Sequence, residues 1–151
     1  MVTPPELTDG VVQLRVLEAS DAEAWKAGED IEQIRWFEAP GPAPMANIVD
    51  AINNWRSEWE QSGSRRHFGI WTDEGLCGGV ELRVRRDGRA NVSYLVFPNA
   101  RRTGVARRAL RLATQWAIVD LAVSAVVAIV GERNVAPIGV ATSSGFIPAD
   151  D

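Results

Sequence analysis

The stretch YLVFPNARRTGVARRAL, residues 94–110, sets four arginines and one glycine between two apolar runs. A strand-like pattern precedes the arginines and a helical one follows, so the charge gathers where a helix begins. Helix starts leave several N–H groups unpaired and carry partial positive charge. Guanidiniums beside such a start suit an anion, above all a phosphate-bearing ligand. A second chemistry is spelled more weakly. His67 and Cys77, each the sole residue of its kind, could form a nucleophile pair, but neither sits in an elbow or has a third partner. They read as a structural histidine and an inert buried thiol. With one Cys and one His, a zinc cluster and an internal disulfide are both excluded.

The chain that must position the arginines has 151 residues, which fits a single domain, 1–151, able to bury a core without disulfides or a structural metal. Hydrophobic residues at 46% and charged residues at 24% place it among globular proteins rather than disordered ones. No apolar run approaches the roughly 18 residues of a membrane span, and the start MVTPPELTDGVVQLRV is not a secretory leader. A cytoplasmic protein without membrane partners is the expectation. Charge is uneven: residues 1–60 hold 12 acids against 4 bases, and residues 61–113 hold 11 arginines against 4 acids. The acidic first third and basic middle suggest one cationic and one anionic ligand on the same domain.

The elements follow from periodicity. VVQLRVL (11–17) reads as a strand, with Ser20 and Asp21 capping a short helix that ends at Gly28. After the rigid loop APGPAP (39–44), Met45, Ile48, Val49, Ile52, Trp55 and Trp59 recur at helical spacing. Residues 66–72, 76–84 and 90–97 form three antiparallel strands joined by turns at Asp73-Glu74-Gly75 and Asp87-Gly88. From Gly104 the apolar residues Val105, Ala109, Leu112, Trp116 and Ala117 mark a helix stopping near Asp120. SAVVAIV (124–130) is a strand expected to run parallel to 90–97, and residues 134–144 a last helix between Asn134 and Gly145. The predicted order is βααβββαβα.

That order, with VSYLVFPNARRTGVARRALRLATQWA and NVAPIGVATSSGF, resembles the Gcn5-related N-acetyltransferases (GNATs), most of all those that acetylate ribosomal-protein N-termini. The likeness spans the chain and is strongest over residues 90–146. The family's acyl-CoA signature is Gln or Arg, two variable residues, Gly, one variable residue, then Gly or Ala. Arg101-Arg102-Thr103-Gly104-Val105-Ala106 meets it at every defined position. The resemblance implies an α/β fold whose mixed, mostly antiparallel sheet splays between its parallel strands, with acetyl-CoA or coenzyme A as co-substrate and no metal. N–H groups from Arg102 to Ala106 would point at the pyrophosphate, Gly104 would let the backbone approach, and Arg101, Arg102, Arg107 and Arg108 would supply charge. Pantetheine would pair with backbone groups of Leu95, Val96 and Phe97, and with Asn134. No GxxxxGK[ST] or GxGxxG loop competes, and direct nucleic-acid binding is disfavoured because most of the six tryptophans fall on helical stripes or outside the basic region.

The chain departs from the family at three places. Pro137 stands where relatives often have a hydroxyl that protonates the leaving thiolate, and Asn91 where they often have a glutamate. Glu81, interrupting GGVELRV, is then the candidate base for an acceptor ammonium, its alternative being an ion pair with Arg83 or Arg85. Only IPADD follows Gly145-Phe146 where the family's closing strand is expected, so that strand is absent, or a partner chain supplies it as in a homodimer, or the sequence given is a fragment; the apolar edge at 124–130 invites pairing. The reading is an enzyme moving acetyl directly to a primary amine, either a peptide N-terminus or a small cationic amine. The acceptor would contact 30–37 and 45–60 through Asp30, Glu32, Glu38, Asp50 and Glu58. The alternative is a catalytically silent acyl-CoA-binding module.

Overall fold

A computed structural model of the chain describes residues 4–28 and 44–128. Among the described residues six strands lie in sequence order across one sheet: β1 (Leu7–Thr8), β2 (Gln13–Arg15), β3 (Arg65–Thr72), β4 (Gly75–Val84), β5 (Ala90–Val96) and β6 (Val126–Ala128). All neighbouring pairs are antiparallel except β5 and β6, which run parallel through Ala90↔Val126, Asn91↔Val127 and Val92↔Ala128. The α-helices among the described residues are α1 (Ala22–Gly28), α2 (Met45–Glu60) and α3 (Val105–Val119). Among the described residues the predicted α/β order holds through β6, with one addition: the short β1, paired to β2 as a hairpin. The segment 30–37, Asn134, Pro137 and the expected last helix lie outside the described residues, as does any splaying of the sheet beyond Ala128.

Strand alternation divides the side chains between two cores. On one face Leu14, Phe68, Ile70, Val80, Leu82 and Val92 meet Ala109, Leu110, Ala113 and Ala117 of α3. The alanines let that helix approach closely, and its apolar stripe follows the 3.6-residue period the sequence displayed. On the other face Trp25 of α1 and Ile48 and Ile52 of α2 pack with Leu17 and Phe97. Gly28 closes α1 by leaving room for a ring: a Cβ there would fall 2.2 Å from Phe97. The α1 entry differs in detail from the capping expectation. A 3-10 turn over Ala19–Asp21 precedes the helix, and the Asp21 carboxylate accepts the Glu18 N–H at 2.8 Å.

A bulge on β4 shifts its register against β3 between Ile70 and Trp71. At that point Gly78 has φ +150°, and a Cβ would stand 1.9 Å from the Leu95 carbonyl oxygen, so only glycine lets β4 and β5 lie this close. The bulge changes the side-chain parity, which puts Cys77 in the core under α3 and Glu81 on the opposite face.

The β1–β2 hairpin is tied to α3 by Asp9. Its carboxylate accepts the Val11 and Val12 N–H groups at 2.9 and 2.8 Å and the Arg108 guanidinium at 2.9 Å. Burial works against the charged carboxylate, but the hydrogen bonds from Val12, Val11 and Arg108 outweigh it and hold its pKa below the ordinary value. A lowered carboxylate pKa contributes stability above the unfolded value that is lost as pH falls through the folded one. Asp9→Ala is therefore expected to destabilise the fold by about 1–2 kcal/mol at neutral pH in urea titration, and by progressively less as the solution is acidified below the ordinary aspartate pKa.

Candidate active site

Strand β5 delivers the chain to the arginine turn. Pro98–Ala100 makes a single 3-10 turn after Phe97, and residues 101–104 form a turn in which Arg102 (φ +63°) and Gly104 (φ +85°) are both left-handed. Thr103 braces it by donating its hydroxyl to the Ala100 carbonyl. Gly104 is the N-cap of α3, and the helical ladder starts with Arg108 N–H bonding to the Gly104 carbonyl at 3.1 Å. The N–H groups of Val105, Ala106 and Arg107 thus precede the ladder and belong to the positive end of the helix. At Gly104 the nearest atom to a would-be Cβ is Arg107 Nη2 at 3.6 Å, so the backbone there is an open cradle that a side chain would fill. A left-handed non-glycine residue is costly, and such outliers gather where a ligand is held. This donor set fits a pyrophosphate.

The four arginines are not equivalent. Arg102 and Thr103 are exposed at the turn, and Arg107 folds back beside Gly104. Arg101 donates its Nε to the Val96 carbonyl at 3.1 Å. Arg108 points the other way, to Asp9. Its charge serves the hairpin and not the cradle, because residues 107 and 108 diverge around the helix.

The backbone of β5 divides its hydrogen bonds by alternation. Ala90 N–H bonds to the Ala125 carbonyl beside β6, whereas Phe97 N–H bonds to the Cys77 carbonyl of β4 at 2.8 Å. Even-numbered residues thus face β6, and Leu95 and Phe97 turn their amides toward β4. Of the three residues expected to meet pantetheine, only Val96 directs backbone groups to the β6 side, where Tyr94 joins it.

Glu81 pairs across the sheet with His67 on β3 and Ser93 on β5. It lies on the α1–α2 face, where Ser93 is exposed. Its side chain is 21% exposed, with Oε1 3.5 Å from Arg65 Nε and Oε2 3.7 Å from Arg83 Nη2. Arg85, the other partner the sequence suggested, binds Asp87 instead at 2.9 Å. Contacts of 3.5 and 3.7 Å are long for charge-assisted bonds, which run near 2.7–2.9 Å. Burial raises the Glu81 pKa most, Arg65 and Arg83 pull it down, and Glu58 raises it again; the net effect is upward. A loosely held, partly desolvated carboxylate can take a proton.

Other titratable groups are placed where they do less. His67 is stacked on Trp55 at 3.6 Å, and burial, followed by the Arg65 charge, pushes its pKa down to about 3, so it stays neutral at working pH. Its carbonyl, past the end of β2, takes the Trp59 indole N–H at 2.9 Å. Cys77 lies in the core on the opposite face, its Sγ 3.5 Å from Thr72 Oγ1, so the two do not form a nucleophile pair. Burial pushes the Tyr94 phenol up to about 12, and this proton donor too packs under α3, away from Glu81. Among the described residues no His/Cys/Asp/Glu group could hold a metal, and no helix is long and apolar enough to cross a membrane. Arg65 and Ser93 were missed by sequence reasoning. Alternation from the Asp87-Gly88 turn was the signal that could have put Ser93 beside Glu81.

The sheet is mixed, a glycine-capped turn opens α3 where β5 ends, and a partly buried carboxylate, Glu81, stands on the neighbouring strand β4. A family model described as the acetyltransferase (GNAT) domain matches residues 12–147, and the chain belongs to that family of acetyl-CoA-dependent acetyltransferases. No curated protein sequence matches it. Among solved structures, one from Vibrio cholerae described as a ribosomal-protein-serine acetyltransferase is 18% identical, covering 95% of this chain and 84% of that one, with a TM-score of 0.81. Mycobacterium smegmatis RimJ, in complex with CoA-disulfide, is 22% identical over 96% of this chain and 74% of its own, TM-score 0.79. A chimera of the Vibrio cholerae spermidine N-acetyltransferase SpeG and hSSAT is 17% identical over 92% and 82%, TM-score 0.74. At these identities the likeness concerns the fold.

Proposed function

We propose that the chain moves an acetyl group from acetyl-CoA directly onto a primary amine, a peptide N-terminus or a small cationic amine, without a covalent enzyme intermediate. The observation that carries this reading is the placement of β5, which leads straight into the Gly104 cradle and runs beside Glu81. Val105, Ala106 and Arg107 would hold the pyrophosphate with their N–H groups, Arg101, Arg102 and Arg107 would add charge, and Tyr94 and Val96 would orient the pantetheine arm. When bound, acetyl-CoA supplies a thioester-activated acetyl group. Glu81 accepts the proton of the acceptor ammonium, leaving a free amine held in reach of that group. Asn134, outside the described residues, remains a proposed partner of the pantetheine arm. The fold shared with RimJ and with a spermidine N-acetyltransferase supports an amine-bearing acceptor.

One observation favours a second reading. Glu81 has two arginine partners, as a merely structural ion pair would, and the chain would then be a silent acyl-CoA-binding module. Thiol release from acetyl-CoA with a mixed panel of amines separates the two, since the silent module binds coenzyme A and releases none. In calorimetric titration with coenzyme A, Arg102→Ala is expected to weaken binding by about 1.5–3 kcal/mol; unchanged affinity would remove Arg102 from the site.

A further inference from the structure

His67 and Glu81 stand directly opposite one another across β3 and β4. The histidine is only 5% exposed, and neighbours fix its ring. Trp55 of α2 stacks on it at 3.6 Å and 5°, and Trp25 of α1 meets it edge to face with ring centres 6.0 Å apart. Gly79 of β4 leaves the ring room, since a Cβ there would fall 2.8 Å from His67 Nε2. Within that packing Nδ1 has no hydrogen-bond partner among the described residues. An unmet buried nitrogen costs stability, and a phenyl ring would fill the same stack without it. Packing therefore does not account for a histidine at this position.

Glu81 supplies a reason. As a carboxylate it only accepts hydrogen bonds, so before proton transfer it has nothing to offer the Nδ1 lone pair. Once it has taken a proton it becomes a donor. The same proton cancels the charge that draws it to Arg65 and Arg83, whose contacts at 3.5 and 3.7 Å are already long. Side chains paired across strands start roughly 5 Å apart, so a turn of the freed carboxyl reaches the fixed imidazole. We propose that His67 is a positioning residue for Glu81: an N–H bond of the acceptor ammonium breaks, its proton joins a Glu81 oxygen, and the new O–H donates to His67 Nδ1, the imidazole's own hydrogen being on Nε2. This rests on the acetyl-transfer reading above. The proton stays on the glutamate, because burial and the Arg65 charge keep the imidazole neutral. A hydrogen bond made only by the protonated form favours that form, which makes Glu81 the stronger base. Around the pair, Arg65 on β3 and Arg83 on β4 favour the ionised carboxylate, and Glu58 on α2 opposes it. β5 presents the uncharged Ser93 and Asn91, and α1 the Trp25 ring.

The test follows the Glu81 ionisation in two ways: the pH profile of kcat, read by thiol release from acetyl-CoA with the best acceptor of the amine panel, and carbon NMR titration of the Glu81 carboxyl in the protein without ligand. His67→Phe keeps the stack and drops the nitrogen. In that variant the ionisation moves to lower pH in both measurements, and the plateau kcat falls about 3- to 10-fold. Coenzyme A affinity is unchanged, and stability in urea equals or exceeds that of wild type. His67→Asn sets a side-chain oxygen near the place of Nδ1; it loses the stack and some stability, yet returns the ionisation toward its wild-type position. An ionisation that stays put in His67→Phe, or that moves as far in His67→Asn, overturns the assignment and leaves acetyl transfer standing. Full kcat in Glu81→Gln, with coenzyme A still bound in calorimetry, removes Glu81 as the base and this inference with it.

Discussion

Glu81→Gln is expected to lower kcat by about 10²- to 10⁴-fold, or roughly 3–5 kcal/mol of barrier, while leaving the affinity for coenzyme A unchanged. The substitution keeps the shape of the side chain and removes its basicity. Burial lifts the Glu81 pKa above the ordinary glutamate value against the pull of Arg65 and Arg83. The ionised form is the base, so the wild-type rate should climb with pH through that raised ionisation, and the step should vanish in the variant. Full kcat with an unaltered pH profile in Glu81→Gln would leave Glu81 as an ion-pair partner of Arg65 and Arg83 and nothing more.

Gly104→Val should weaken coenzyme A binding by about a hundredfold or more, close to 2.7 kcal/mol. Two effects combine. A β-branched side chain would fill the cradle in front of the first N–H groups of α3, where only Arg107 Nη2 comes within 4 Å of a Cβ. Valine also resists the +85° φ of the N-cap, at a cost of about 1–2 kcal/mol to the fold. Gly104→Ala separates them, because alanine meets a similar strain with far less bulk. Calorimetry on both variants, alongside urea titration, reads binding and stability independently. Wild-type affinity in Gly104→Val would mean that the phosphates bind elsewhere.

Much of this was legible along the chain. Helix α2 showed in the recurrence of Ile48, Ile52 and Trp59, which are buried, and α3 in Val105, Ala109 and Ala117. The Asp87-Gly88 turn announced the β4–β5 hairpin, since Gly88 takes φ +86° there and Asp87 pairs with both Arg85 and Arg89. The turn that opens α3 could be read too, because a left-handed glycine at a strand-to-helix junction is a local feature whose physics needs no distant residue. β1 escaped notice: at two residues it has no periodicity, and it exists because the Asp9 turn folds it onto β2.

By itself the sequence determined the order of the described elements from β2 to β6, the glycine-marked turn that opens α3 and the oddity of a glutamate in GGVELRV, because these depend on local propensity and on periods of 2 and 3.6 residues. Tertiary structure decided what each charged side chain does. Arg108 leaves the cradle for an aspartate 99 positions away. Glu81 meets Arg65 and not Arg85 because the β3–β4 register puts Arg65 a diagonal step from it, whereas the hairpin turns Arg85 toward Asp87. Ion pairs between surface charges are individually weak, so they follow the geometry that the apolar cores impose. That geometry joins residues far apart in the chain, and local pattern carries no record of it.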